Sequence, residues 1–149
     1  MLRPRLFLDT SALFAAVFSP TGGARELLRL SEMGAIAVLV GPRVLAEAEA
    51  VFQRKAPDLL PKLAVLLAQA NVEAGPEADE SVIARAGSAI PYAPDAHILA
   101  EAFAAESNFF VTHDQAHFLD NPEVRNLPCP VGTPGDALEW LRHRLTPSG

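Results

Sequence analysis

A chain of 149 residues, half of them hydrophobic, is long enough to bury a real core, and a net charge of −6 with a pI near 5.1 argues against gripping a polyanion by bulk electrostatics. If it acts on a polyanion, metal ions have to supply the positive charge. Cys129 is the only cysteine, so an intrachain disulfide and a thiolate metal cluster are excluded and a packing role is expected for it. No apolar run approaches the roughly 18–20 residues of a membrane span, and the opening "MLRPRLFLDT" reaches an acid too soon for a signal peptide, so a cytoplasmic protein without a membrane is expected.

Short β-type runs alternate with longer stretches of helical spacing. "RLFLD" (5–9) is the first predicted strand, followed by helices over 10–18 and 23–33, and "AIAVLV" (35–40) is the second strand. Helices over 42–55, 58–70, 77–88 and 94–106 come next, with "GPEAD" (75–79) as an exposed loop. "NFFVT" (108–112) is a strand, "CPVGT" (129–133) a weaker one, and a last helix covers 134–145. Pro42, Pro76, Pro94 and Pro134 stand near the starts of four of these helices. Near-continuously apolar strands separated by crossover helices predict an α/β three-layer sandwich around a mainly parallel sheet of four or five strands, as a single domain over 1–149. Such sheets place their sites outside the carboxyl ends of the strands, at the topological switch point.

Acids stand where that rule directs attention. Asp9 closes the first strand and Asp114 follows the "FFVT" strand; each alone could be a helix cap or Asx turn. Asp95 lies in line with Ile98, Leu99 and Ala102, so its carboxylate heads a buried stripe while His97 and Glu101 face the opposite way. In "PRVLAEAEAVFQRK" the stripe Val44, Leu45, Ala48, Val51 and Phe52 is flanked by Glu47 and Glu49 on opposite edges, and periodicity does not choose between them. Carboxylates converging at a sheet edge repel one another unless cations sit among them. Hard oxygen donors suit Mg²⁺ or Mn²⁺, ions that activate water against a phosphodiester.

"LFLDTSAL", "VGPRVLAEAEAVF" and "PDAHILAEAFAAESNFFVTHD", in that order, resemble the PIN domain. The likeness runs from Leu6 to about Leu141. It implies a PIN-like fold and a metal-dependent ribonuclease using Mg²⁺ or Mn²⁺, of the kind found as toxins in toxin–antitoxin pairs. RNA is then the substrate, with an antitoxin protein and a second copy of the chain as candidate partners. The family's acids fall on Asp9, Glu47, Asp95 and Asp114 as metal-binding and catalytic residues; the preference for Glu47 over Glu49 comes from the resemblance. The polar neighbour of the first acid corresponds to Thr10 or Ser11, and Thr112 matches the threonine before the last acid. Relatives often carry Asn two residues after the first Asp, where this chain has Ser11.

Rival readings exist. His113 and His117 flank Asp114 four residues apart, which suggests zinc, although without a long helix to align them a structural or substrate-edge role is preferred. Asp9 could be the nucleophile of a haloacid-dehalogenase-like phosphatase, but Ser11 replaces the second acid of that motif. A receiver-like or degenerate PIN module that only binds a partner would have lost an acid, and all four positions are filled. Arg3, Arg5, Arg25, Arg29, Arg43, Arg54, Lys55 and Lys62 are dispersed, as solvated surface or as contacts to RNA phosphates around an acidic mouth. Trp140 reads as a packing residue.

Overall fold

The computed structural model describes residues 3–145; the outermost positions of the expected domain, 1–2 and 146–149, lie outside the described residues. Strands β1 (Arg5–Leu8), β2 (Ala37–Val40), β3 (Glu73–Ala74), β4 (Phe109–Val111) and β5 (Val131–Gly132) form a parallel sheet in the order β3-β2-β1-β4-β5. The chain leaves β1 toward β2 on one side and returns to β4 on the other. The switch point therefore lies between the carboxyl ends of β1 and β4.

Helices α1 (Thr10–Phe18), α2 (Gly23–Glu32), α3 (Pro42–Lys55), α4 (Leu60–Gln69), α5 (Glu80–Ala89), α6 (Ala93–Ala104) and α7 (Pro134–Leu145) cover both faces, giving the expected three layers. Register explains how the core divides. Leu6 pairs with Phe109, whose ring meets Trp140 of α7 at 5.3 Å, so Trp140 packs as expected. Phe7 pairs with Phe110, stacks on it at 5.8 Å, and lies on the opposite face, toward α6. Every residue of β2 and β4 is buried, the physical reason for their unbroken apolar runs.

Three details differ from expectation. β3 was not anticipated: it has two residues, pairs only with β2, and carries Glu73, whose carboxylate meets the Arg5 guanidinium at 3.2 Å. Pro76 does not open α5, which starts after Asp79, the cap that accepts from the Val82 amide at 3.0 Å. The third is Glu101, expected on the far side of α6 from the apolar stripe and found 3% exposed. Gly41, the cap residue of α3, has no side chain to cap with, and Glu101 Oε1 reaches across to accept from the Arg43 amide at 3.0 Å. A Cβ on Gly41 would collide with that carboxylate, so glycine is what permits the approach.

Several arginines are also less free than expected. Arg25 donates to the carbonyls of Ala16 and Val17 at the end of α1, and Arg5 donates to Ala105 O at the end of α6. Arg29 closes on Glu26 and Pro20 O, while Arg54, Lys55 and Lys62 are exposed. Cys129 is buried, its thiol pushed up to about 11 by desolvation, which suits packing and not reactivity.

Candidate active site

Asp9 follows β1 directly and is both cap and convergence point. Its amide continues the ladder to Val111 O at 3.1 Å. Its Oδ1 accepts from the Ala12 amide at 2.9 Å and the Ser11 hydroxyl at 2.7 Å, and its Oδ2 accepts from the Thr112 hydroxyl. At 5% exposure its carboxyl is pushed up, first by burial and further by the Asp114 charge, against the pull of those hydrogen bonds. The two hydroxyls also accept: Thr112 Oγ1 from the Asp114 amide at 2.9 Å, Ser11 Oγ from the His113 amide at 3.0 Å. Ser11 and Thr112 thus tie the ends of β1 and β4 together around the Asp9 carboxylate.

After β4 the chain makes one π-helical turn over Gln115–Leu119, with Asp114 as its cap. Such turns are often found at functional sites. Asp114 Oδ1 accepts from the His117 amide at 3.0 Å, and the His117 ring returns to place Nδ1 3.0 Å from Oδ2. Burial would raise the Asp114 carboxyl, but the His117 amide and ring outweigh it and hold it below its ordinary value. His117 is raised in turn, mainly through Asp114.

Asp95 enters from the first turn of α6. Its Oδ2 lies 2.8 Å from the same His117 Nδ1, but off the N–H direction, so this buried oxygen has an ionic neighbour and no hydrogen bond. Its carboxyl is pushed up to about 6, chiefly by desolvation; His117 pulls down while Asp114, Asp9 and Glu47 push further up. Those three charges act on Asp95 from β1, α3 and the end of β4, so all four predicted acids share one electrostatic neighbourhood. Glu47 Oε2 accepts from the Thr10 hydroxyl at 2.7 Å, whereas Glu49 is exposed beside Gln53 and Leu60 in a groove between α3 and α4.

A PIN-domain family model matches residues 5–116. The chain belongs to the PIN-domain family. Two solved structures share the PIN fold with it. One, described as VapBC2 from Rickettsia felis bound to a DNA fragment from the promoter, has a TM-score of 0.62 at 16% identity, covering 86% of this chain and 98% of that one. The other, VapC20 from Mycobacterium tuberculosis, described as a toxin that cleaves the sarcin–ricin loop, has a TM-score of 0.54 at 16% identity, covering 77% and 94%. No curated protein matches the sequence.

The donor set of this PIN domain suits a hard divalent cation. Asp95, Asp114 and His117 each offer an atom within 4.8 Å of the others, and the unbonded Asp95 Oδ2 is an oxygen that a cation would satisfy. The histidine pair does not make a zinc site: His113 is exposed and contributes its backbone amide, and only His117 joins the cluster. The role of His117 between two carboxylates was not legible in the sequence. The one signal was its place three residues after a capping aspartate, from which a side chain can fold back over the cap. Tyr92 was not singled out at all, yet its ring stacks on His117 at 4.7 Å and 9°.

Proposed function

We propose that this PIN domain is a cytoplasmic, Mg²⁺- or Mn²⁺-dependent endoribonuclease, the toxin of a toxin–antitoxin pair. Asp9, Glu47, Asp95 and Asp114 would hold the metal and carry the chemistry. The observation that carries the proposal is the Asp95 carboxylate, half-buried, raised to about 6, and left with one buried oxygen without a hydrogen bond amid three other acids. A divalent cation bound among these acids would satisfy that oxygen and offset their mutual repulsion. The chemistry such an ion supplies when bound is Lewis acidity, which acidifies water and offsets charge on a phosphodiester under attack.

The chain's own residues supply position. Ser11, Thr112 and the Ala12 amide fix both oxygens of Asp9, and Thr10 aims Glu47. The π-helical turn fixes Asp114 through the His117 amide. The likeness to antitoxin-associated and RNA-cleaving structures supports RNA as substrate and an antitoxin as partner; a second copy of the chain is a further partner of this reading. Incubation of the purified protein with labelled structured and single-stranded RNAs, with Mn²⁺, Mg²⁺ or chelator, tests it. Internal cleavage that appears only with the divalent ion is expected. Cleavage that survives chelation, or none with either ion, overturns it.

A further inference from the structure

We infer that Tyr92 is a stacking platform for a nucleobase of single-stranded RNA next to the phosphodiester presented to the acid cluster. This rests on the ribonuclease reading above and adds a substrate-positioning residue to it. Tyr92 caps α6 three residues before Asp95, and its side chain makes no capping hydrogen bond. Tyr92 is 51% exposed, one of the few large apolar residues left open among the described residues. Burial therefore does little to account for it.

The segment "IPYAP" explains how an exposed ring is held still. Ile90 is fully buried, Pro91 fixes the backbone before the tyrosine, and Ala93-Pro94 leads straight into the helix. One face of the ring lies on the His117 imidazole at 4.7 Å and 9°, and that imidazole reaches Asp95 and Asp114 at 2.8 and 3.0 Å. The exposed aromatic surface is thus separated from the acids by one stacked ring. A nucleotide whose phosphate meets the acids can rest its base on Tyr92, as aromatic platforms in single-strand binders do without regard to sequence.

The acidic net charge makes such a contact useful, because stacking holds a strand without relying on charge. Loss of the platform should weaken strand binding about tenfold or more. The experiment measures cleavage of a single-stranded RNA by wild type, Tyr92→Phe and Tyr92→Leu, on an intact strand and on one with an abasic nucleotide beside the cut. Tyr92→Leu should raise KM about tenfold with kcat little changed, and Tyr92→Phe should restore it. The abasic strand should raise KM for wild type and not for Tyr92→Leu.

Equal losses on intact and abasic strands would mean that Tyr92 only props His117, and would overturn the platform. A Tyr92→Trp protein gives a readout that does not need cleavage. Its emission should be quenched by the oligonucleotide, whereas wild type, with Trp140 alone, should not respond. Quenching without cleavage sinks the nuclease reading and keeps the platform; cleavage with an unimpaired Tyr92→Leu protein sinks the platform alone. Neither quenching nor cleavage sinks both.

Discussion

Asp95 and Glu101 sit on the same helix, are withdrawn from water in part and almost fully, respectively, and both have carboxyls raised first of all by burial. Their surroundings differ in kind. Glu101 accepts from the amide at the open end of α3, lies 3.9 Å from His97, and feels the Arg43 charge. Asp95 has an oxygen with no hydrogen bond, and three of the four charges acting on it repel. Glu101 joins α6 to α3 and so helps hold the helix that carries Glu47. Asp95 has the His117 ring as its one compensating charge, against three acids. A carboxylate left in that state costs stability in the free protein and, on the proposed function, would recover it from a bound cation.

The largest effect should come from neutralising each member of this pair. Asp95→Asn should lower ribonuclease activity on the order of a hundredfold or more while the metal-free protein melts no lower than wild type. Glu101→Ala leaves the Arg43 amide without its acceptor and should cost about 2 kcal/mol, or roughly 4–8 °C in Tm at this chain length. Cleavage assays and thermal melts in chelator check both. If the two proteins lose stability alike, the distinction between a structural and a functional carboxylate fails.

Thr112 lies between the two kinds of region, buried like Glu101 yet bonded to Asp9. Thr112→Val keeps the shape and removes a donor to Asp9 and an acceptor for the Asp114 amide. A loss of about 2 kcal/mol is expected from the stranded groups, together with about a tenfold to hundredfold loss of activity from a misoriented Asp9. Measuring both at saturating Mn²⁺ separates them. Full activity in a destabilised variant would make Thr112 a packing residue only.

This contrast also shows what the sequence could reveal. β1, β2 and β4 were legible because burial on both faces leaves them unbroken apolar runs, and Asp9 and Asp114 because they interrupt such runs at the carboxyl edge. β3 was illegible because an edge pair of residues, one of them Glu73, needs only backbone bonds to β2. The placement of Glu101 was misread because a helical wheel registers apolar stripes, and what covers Glu101 is the polar end of another helix. His117 escaped because its place between Asp95 and Asp114 depends on a π-helical turn, which has no sequence period of its own. The choice between Glu47 and Glu49 is of the same type: the two lie symmetrically about the stripe, and what distinguishes them, the Thr10 hydroxyl delivered from α1 and the nearby Asp95 charge, comes from other elements.

That choice yields a smaller effect. Thr10→Val removes the donor that aims Glu47 and should slow cleavage about tenfold, in the range seen when a metal ligand loses its supporting hydrogen bond. Glu49→Gln, on the exposed edge, should leave activity and Tm as they are, since surface changes away from such features stay within about 0.5 kcal/mol. A damaging Glu49→Gln beside a silent Glu47→Gln would move the site to the other edge of α3.

The smallest expected effect is on stability against pH, and its sign follows from the carboxyl shifts. Asp95 rises from 3.8 to about 6 in the folded protein, so between those values the native state holds a proton that the unfolded chain has released. Its contribution to stability is present at the acid end and is lost as pH rises through about 6. His117, also raised, acts in the same direction above its ordinary 6.5: its contribution is present below that value and fades as pH climbs past the folded one. Asp114 is lowered and acts oppositely, its contribution being lost as pH falls, so Asp114→Asn should not stabilise the metal-free protein, whereas Asp95→Asn should. In chelator the Asp95→Asn and wild-type melting curves should nearly coincide near pH 4 and separate above pH 6. The variant should then be higher by about 1 kcal/mol, a figure kept small because the carboxyl is part-open to solvent. Saturating Mn²⁺ should reverse the order, adding about 2.7 kcal/mol to wild type at a hundredfold excess over Kd and less to the variant. A variant that melts below wild type in chelator at pH 7 would place Asp95 with Glu101, as a carboxylate the fold uses for its own stability.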